Sequence, residues 1–201
     1  MKRTIYFSIV ISQLLFLIFL PVFYQLFSYL HPIVIIVLWM CITALIFFLV
    51  FLIRKDTITI PRWLLNLLLA IYSLCLFVLL FIRPNEQVYD NWNLLPFSTI
   101  SFYLTGDVPP LVAFYNLAAN VVLFVPYGLI IMMNRMSKIM QYLLPLLFIS
   151  MIEFLQFITR RGSLDIDDLI LNMFGVYVGC LLTPVFQRVV RLKANESREN
   201  L

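Results

Sequence analysis

Acidic and amide side chains stand inside apolar stretches in the second half of the chain. Glu153 and Gln156 lie three residues apart in one stretch, and Asn116 and Asn120 lie four apart in another. Residues three or four apart share one face of a helix. An ionised carboxylate inside a membrane span costs about 2.5–3.5 kcal/mol or more unless it is satisfied. Glu153 is therefore a candidate functional group if this stretch crosses a membrane.

A third polar group follows at the start of the next apolar stretch. Asp165, Asp168 and Asn172 are again three and four residues apart, and Arg161 precedes them. Helix capping by Asp165, with acids favoured in the first helical turn, explains one or two of these side chains. It explains neither Arg161 nor Asn172. Glu153 and Asp168 are the best candidates for acid–base catalysis, and Arg161 is suited to holding a phosphate or carboxylate.

The connection before these stretches, residues 90–98, is unusually apolar for a solvated loop, with Leu94, Leu95 and Phe97 close together. Trp92 and, beyond the segment, Tyr103 suit a membrane interface. We expect this segment to lie on or dip into the outer leaflet. It serves either as an interfacial anchor alone or as part of a binding site to which Asn93 contributes.

Composition places these groups in a membrane protein. Of the 201 residues, 63% are hydrophobic and 12% are charged, against about 45–50% and 25% in soluble domains. The mean hydropathy is +1.01. No single core in a chain of this size could bury so much apolar surface. A soluble enzyme, a nucleic-acid-binding domain and a disordered protein are excluded, which leaves an integral membrane protein.

Metal and disulfide chemistry finds little support in the sequence. Cys41, Cys75 and Cys180 lie far apart within apolar stretches and are interpreted as packing residues. His31 is the only histidine, so a zinc site is improbable. The acids Glu153, Asp165 and Asp168 leave an oxygen-rich metal site open. The sequence identifies no cofactor.

Long apolar stretches with few or no charges predict an all-α bundle of about six transmembrane helices. The helices are expected at about 5–27, 33–53, 63–82, 111–133, 139–159 and 168–187. The first stretch also has the basic start of a signal peptide, but no small-residue cleavage site follows it.

The Lys and Arg residues predict the orientation of the bundle. With the N-terminus inside, eleven fall in inner segments and three, Arg83, Arg160 and Arg161, fall in outer ones. Both termini are therefore predicted to be cytoplasmic, with residues 83–110 and 160–167 outside. The outer ends of the last three helices then carry most of the polar side chains, which predicts one polar site open to the outer face.

Four blocks occur in order along the second half of the chain. They are Asn93-Leu-Leu-Pro96-Phe97; Asn116-x3-Asn120-x5-Pro126-x-Gly128; Ser150-x2-Glu153-x2-Gln156-x4-Arg161-Gly162; and Asp165-Ile-Asp167-Asp168-x3-Asn172-x2-Gly175-x3-Gly179. In these blocks the chain resembles the VanZ-like family of bacterial membrane proteins. The resemblance implies a VanZ-like membrane domain at 63–187, a two-helix addition at 1–55 and a basic cytoplasmic tail at 188–201.

The same resemblance implies a multi-pass protein of the bacterial cell membrane that lowers susceptibility to glycopeptide antibiotics such as teicoplanin. It carries over no cofactor and no catalytic mechanism. The first hypothesis is an outward-facing site that binds or modifies a lipid-linked cell-envelope precursor or a lipoglycopeptide within the lipid bilayer. Glu153 and Asp168 are its candidate catalytic residues, and its candidate binding residues are Asn93, Asn116, Asn120, Gln156, Arg161, Asp165 and Asn172.

Two other classes of function remain open. In the first, the protein is a non-catalytic structural or interaction protein, and the polar residues only fasten helices together through hydrogen bonds of roughly 0.6–2 kcal/mol each. In the second, it is a small transporter, although the inner halves of the last three predicted helices are nearly all apolar, and a transporter needs polar residues across the full membrane depth. Nucleic acid is not an expected partner.

Overall fold

The computed structural model describes residues 2–26, 33–81, 92–105, 108–134 and 136–193. In these ranges the chain forms seven helices: α1 (Lys2–Leu26), α2 (Ile33–Arg54), α3 (Arg62–Phe81), α4 (Ser98–Leu104), α5 (Pro110–Met133), α6 (Lys138–Ile158) and α7 (Ile166–Val189). Four short strands accompany them: β1 (Ile58–Ile60), β2 (Trp92–Asn93), β3 (Leu164–Asp165) and β4 (Val190–Leu192).

The six long predicted helices correspond to α1, α2, α3, α5, α6 and α7, each within two or three residues of its predicted bounds. Five of these, all except α2, are long and apolar enough to cross a membrane, and α2 contributes a shorter apolar helix over Leu38–Arg54. Large apolar side chains are exposed along all six, as expected of helices that face lipid. The predicted class, an all-α membrane protein, is confirmed, and the orientation of the termini stays a prediction.

The contacts divide the chain into two compact units, one of residues 1–65 and 185–201 and the other of residues 66–184. In the first unit α1 packs against α2, where Trp39 donates a 2.8 Å hydrogen bond to Gln13. Strand β1 pairs in parallel with β4, so the segment just after α7 is a strand. The second unit holds the remaining described elements, and its helices share one core.

The core of the second unit joins α3, α5, α6 and α7. Its buried members are Leu76, Phe124, Ile131, Ile149, Ile152 and Val176. Pro126 lies inside α5 and lacks the N–H that would pair with the carbonyl of Val122. The hydroxyl of Tyr72 donates a 2.7 Å hydrogen bond to the next carbonyl, that of Leu123. This bond fastens α3 to the proline-interrupted part of α5.

Glycines let the backbones of α5 and α7 touch. A Cβ atom on Gly175 would lie 2.0 Å from the carbonyl oxygen of Val121, and one on Gly179 would lie 2.1 Å from that of Val125. No side chain fits in so small a gap, so these positions fix the spacing of the two helices. Residue numbers rise together along both partners, so α5 and α7 run in the same direction. That register places the N-terminal turns of the two helices side by side.

Candidate functional site

A buried acid–amide pair joins α6 to α7. Glu153 is 5% exposed and Asn172 is 4% exposed. The side-chain nitrogen of Asn172 donates a 3.3 Å hydrogen bond to Oε1 of Glu153. The other end of the same amide, Oδ1 of Asn172, is buried with no hydrogen-bond partner among the residues that the structure describes. The pair therefore presents an unused acceptor atom inside the protein.

A second acid–amide pair lies one helical turn away on α7. Asp168 stands four residues before Asn172, on the same face of the helix, and its Oδ1 accepts a hydrogen bond from the side-chain amide of Asn120 on α5. The close packing of α5 against α7 places these two partners together. We refer to Asn120, Glu153, Asp168 and Asn172 as the Glu153 cluster. Four of the predicted site residues thus form two neighbouring acid–amide pairs.

Gln156 and Arg161 lie at the end of α6. Gln156 is buried on the same side of α6 as Glu153, and its amide donates a 3.4 Å hydrogen bond to the carbonyl of Leu80 on α3. The backbone carbonyl of Gln156 accepts hydrogen bonds from the N–H groups of Arg161, at 2.9 Å, and Gly162, at 3.2 Å. Arg160 reverses the chain direction here with a φ of 55°. The Arg161 side chain is exposed, so it stands at the edge of this region.

Asn116 contacts a different element. Its side-chain amide donates a 3.2 Å hydrogen bond to the hydroxyl of Tyr103 on the short helix α4. Asn116 shares a face of α5 with Asn120, whose amide reaches Asp168 instead. The two amides predicted to act together thus hold two different neighbours of α5.

Asp167 is fully buried and fixes the start of α4. Its Oδ1 accepts the backbone N–H of Phe97 at 2.6 Å, and its Oδ2 accepts those of Thr99 at 2.8 Å and Ile100 at 3.1 Å. The first N–H groups of a helix lack partners within the helix, and a carboxylate is the favoured acceptor there. Phe97 adopts a φ of 65°, which turns the chain into α4.

Asn93 and Asp165 extend this arrangement. Strands β2 and β3 pair in parallel with Asn93 opposite Asp165. Asp165 accepts hydrogen bonds from the Thr99 hydroxyl at 2.5 Å and from the Asn93 amide at 3.5 Å. It also caps α7 by accepting the N–H of Asp167 at 2.9 Å. We call Asn93, Thr99, Asp165 and Asp167 the loop anchor, because they hold residues 92–100 against the start of α7.

The predicted site residues therefore separate into groups with different surroundings. Asn120, Glu153, Asp168 and Asn172 form the Glu153 cluster, Asn93 and Asp165 belong to the loop anchor, Asn116 contacts Tyr103, and Gln156 and Arg161 stand at the end of α6. The sequence analysis did not identify partner roles for Thr99, Asp167 and Tyr103. The sequence did carry one indication that Asp167 has a partner. Three acids stand together at Asp165, Asp167 and Asp168, and helix capping accounts for only one or two of them.

The anchored segment exposes apolar side chains. Trp92 and Leu95 are each 72% exposed, and Phe97 is also exposed although its backbone N–H is bound by Asp167; Leu104, at the end of α4, is exposed as well. These exposed side chains agree with the predicted interfacial position of the segment. In the described parts of the chain, no three His, Cys, Asp or Glu side chains are grouped to hold a metal ion. Glu153, Asp165 and Asp168, the acids for which the sequence left an oxygen-rich metal site open, are therefore not grouped in this way.

The VanZ/LLP1 family model matches residues 67–187, which cover all of α4, α5 and α6 and most of α3 and α7. This chain belongs to the VanZ/LLP1 family. It is 27% identical over 119 residues to Protein VanZ of Enterococcus faecium, covering 57% of this chain and 70% of that protein. No solved structure matches the chain.

Family membership and the helices together define the class of protein. The family match and the five long apolar helices identify a multi-pass membrane protein of bacteria. All members of the Glu153 cluster and of the loop anchor fall within the matched residues. The helices α1 and α2 lie outside them.

Proposed function

We propose that this VanZ-family protein uses the Glu153 cluster to bind the polar part of a lipid-linked cell-envelope component or of a lipoglycopeptide at the outer face of the membrane. The observation that carries the proposal is the buried, unpaired Oδ1 of Asn172 beside the Glu153 carboxylate. A buried acceptor without a partner costs about 1–3 kcal/mol. A ligand that donates a hydrogen bond from a hydroxyl, amide or amine group would remove that cost.

The apolar surface of residues 92–104 supports a ligand that carries a lipid chain. Asp167 of the loop anchor is followed directly by Asp168 of the Glu153 cluster, so the exposed apolar segment and the polar cluster are joined through adjacent residues of α7. A lipid-linked ligand would place its chain along the apolar segment and its polar group near α7. Arg161, exposed at the end of α6, would meet an anionic group such as a phosphate.

If the bound component is also modified, Glu153 and Asp168 are the candidates for moving a proton. Each carboxylate accepts a hydrogen bond from an amide on a neighbouring helix, Glu153 from Asn172 and Asp168 from Asn120. Such bonds fix the direction of a carboxylate, which general acid–base catalysis requires. Binding alone is sufficient for the proposal.

We propose that the consequence for the cell is lower susceptibility to glycopeptide antibiotics such as teicoplanin. The test expresses the chain in a teicoplanin-susceptible bacterium and measures the minimal inhibitory concentration beside the amount of protein in the membrane. Glu153→Gln keeps the size of the side chain and an acceptor for Asn172 while removing the charge. We expect this variant to reach the normal amount and to lose the protection.

The control is Glu196→Gln, which removes the same charge outside the residues matched by the family. It should keep the protection of the unaltered chain. Full protection by Glu153→Gln at normal abundance would refute the charged site. The absence of any protection by the unaltered chain would refute the role in glycopeptide susceptibility.

A structural role is the second candidate function, and the loop anchor favours it. Both carboxylate oxygens of Asp167 accept hydrogen bonds from backbone N–H groups, and Asp165 accepts hydrogen bonds from the side chains of Asn93 and Thr99. Substitutions in the anchor should lower the amount of protein, whereas those in the Glu153 cluster should lower protection at an unchanged amount. If both groups only lower the amount, the protein is structural and the proposed binding site is wrong.

A further inference from the structure

A cavity of about 440 Å³ opens in the first unit, and none of the candidate site residues lines it. Its walls are Lys2, Arg3, Tyr6 and Phe7 of α1 and Arg54 of α2. Three of these five side chains are cationic, two are aromatic and none is acidic. The cavity lies outside the residues that the family model matches.

One of the three cations of this cavity, Arg54, is held in place by an aromatic ring. The guanidinium of Arg54 lies 4.5 Å from the ring centre of Phe7, a cation–π contact that fixes it against α1. The acid nearest to it in sequence, Asp56, accepts a hydrogen bond from Thr4 and does not line the cavity. Among the described residues, Lys2, Arg3 and Arg54 form no ion pair. The cavity therefore concentrates positive charge.

The length of α1 indicates where the cavity lies relative to the bilayer. A helix of 25 residues extends about 37 Å at about 1.5 Å per residue, whereas the hydrocarbon core of a bilayer is about 30 Å thick. The first turn of α1, with Lys2 and Arg3, therefore reaches the headgroup region. The N-terminal end of a helix also favours an anion. The Lys and Arg count predicts this end to be cytoplasmic, where anionic lipids attract basic residues.

We propose that this cavity binds the phosphate group of an anionic phospholipid. Lys2, Arg3 and Arg54 surround the phosphate, and the half-exposed Phe7 and the exposed Tyr6 face the first carbons of the acyl chains. Each cation near a membrane surface strengthens binding of an anionic lipid about fivefold, the equivalent of ~1 kcal/mol. The site is independent of the Glu153 cluster and of the function proposed for it.

Native mass spectrometry tests the proposal with the full chain in micelles that contain equal amounts of phosphatidylglycerol and phosphatidylcholine. The unaltered protein should retain phosphatidylglycerol in preference to phosphatidylcholine. Arg54→Gln should reduce that preference about fivefold, and Arg54→Lys, which keeps the charge, should restore most of it. If Arg54→Gln fails to fold, Arg3→Gln tests the same cavity, because it leaves the contact between Arg54 and Phe7 intact. It should also reduce the preference for phosphatidylglycerol.

Arg188→Gln is the matched control, because it removes an exposed arginine of the same unit that does not line the cavity. It should leave the lipid preference unchanged. An equal loss in Arg188→Gln would show a diffuse charge effect and overturn the site, as would no loss in both Arg54→Gln and Arg3→Gln. Free glycerol phosphate is added as a competitor. Its displacement of phosphatidylglycerol at equal concentration would show a phosphate site and overturn the lipid assignment.

Discussion

The backbone N–H of Thr99 donates a 2.8 Å hydrogen bond to Oδ2 of Asp167, a residue 68 positions later in the chain. This bond ties the start of α4 to the start of α7. The residue after Asp167 is Asp168, whose carboxylate accepts a hydrogen bond from Asn120 on α5. Two adjacent acids on α7 thus hold different parts of the second unit: Asp167 holds the segment that begins α4, and Asp168 holds α5.

Removing the Asp167 carboxylate should release residues 97–100. Asp167→Ala leaves three backbone N–H groups without their acceptor. Hydrogen bonds to a charged group contribute about 1.5–3 kcal/mol each, so each of these N–H groups should lose up to about 3 kcal/mol of protection. Amide hydrogen exchange at these residues should become roughly 100-fold faster. Ser101→Ala, an exposed position on α4, should leave exchange unchanged, and unaltered exchange in Asp167→Ala would contradict the assigned role.

The sequence predicted the long helices well because each is marked by a long, mainly apolar stretch with few charges. The short helix α4 escaped prediction, since seven residues give little periodic signal and its start depends on Asp167, 70 positions after Phe97. Local sequence shows neither this partner nor the positive φ of Phe97. A third acid beside Asp165 and Asp168 was the one signal that pointed to Asp167.

The candidate site was partly predictable, because local spacing along a helix shows which side chains share a face. Helical spacing identified the shared faces of Asn116 with Asn120 and of Asp168 with Asn172. It could not show that Asn116 reaches Tyr103 while Asn120 reaches Asp168, because that choice depends on the packing of α5 between two neighbours. The glycine contacts between α5 and α7 set this register, and they are properties of the assembled helices rather than of either sequence.

A methyl group on Gly179 should push α5 and α7 apart. A Cβ atom there would lie 2.1 Å from the carbonyl oxygen of Val125, and a backbone atom cannot move aside as a side chain can. Overpacking of this kind costs about 1–3 kcal/mol. Thermal unfolding in detergent should show Gly179→Ala to be less stable than the unaltered protein.

Gly162→Ala provides the comparison for Gly179→Ala. Its Cβ would lie 3.2 Å from the Cβ of Gln156, a contact that a shift of a few tenths of an ångström relieves. We expect a much smaller loss of stability for Gly162→Ala. Equal stability of Gly179→Ala and the unaltered protein would show that the α5–α7 contact is looser than the structure indicates.

The predicted orientation can be tested by cysteine labelling in a background without Cys41, Cys75 and Cys180. Cysteines placed at Gln87, which lies outside the described residues, and at Ser163 should react with a membrane-impermeant reagent added to intact cells. A cysteine at Lys55 should react only after permeabilisation. The expectation rests on the excess of Lys and Arg in the inner segments. The reverse pattern would place the Glu153 cluster on the cytoplasmic side and exclude an outward-facing site.

Asp168→Asn separates a structural role of the Glu153 cluster from a functional one. The new amide keeps an oxygen that can accept the hydrogen bond from Asn120, so helix packing should survive with a stability change below about 1 kcal/mol. The negative charge is lost, and with it the proposed capacity for moving a proton or pairing with a ligand cation. We expect thermal unfolding close to that of the unaltered protein together with loss of protection against teicoplanin. Protection retained in full at normal abundance would assign Asp168 to helix packing alone.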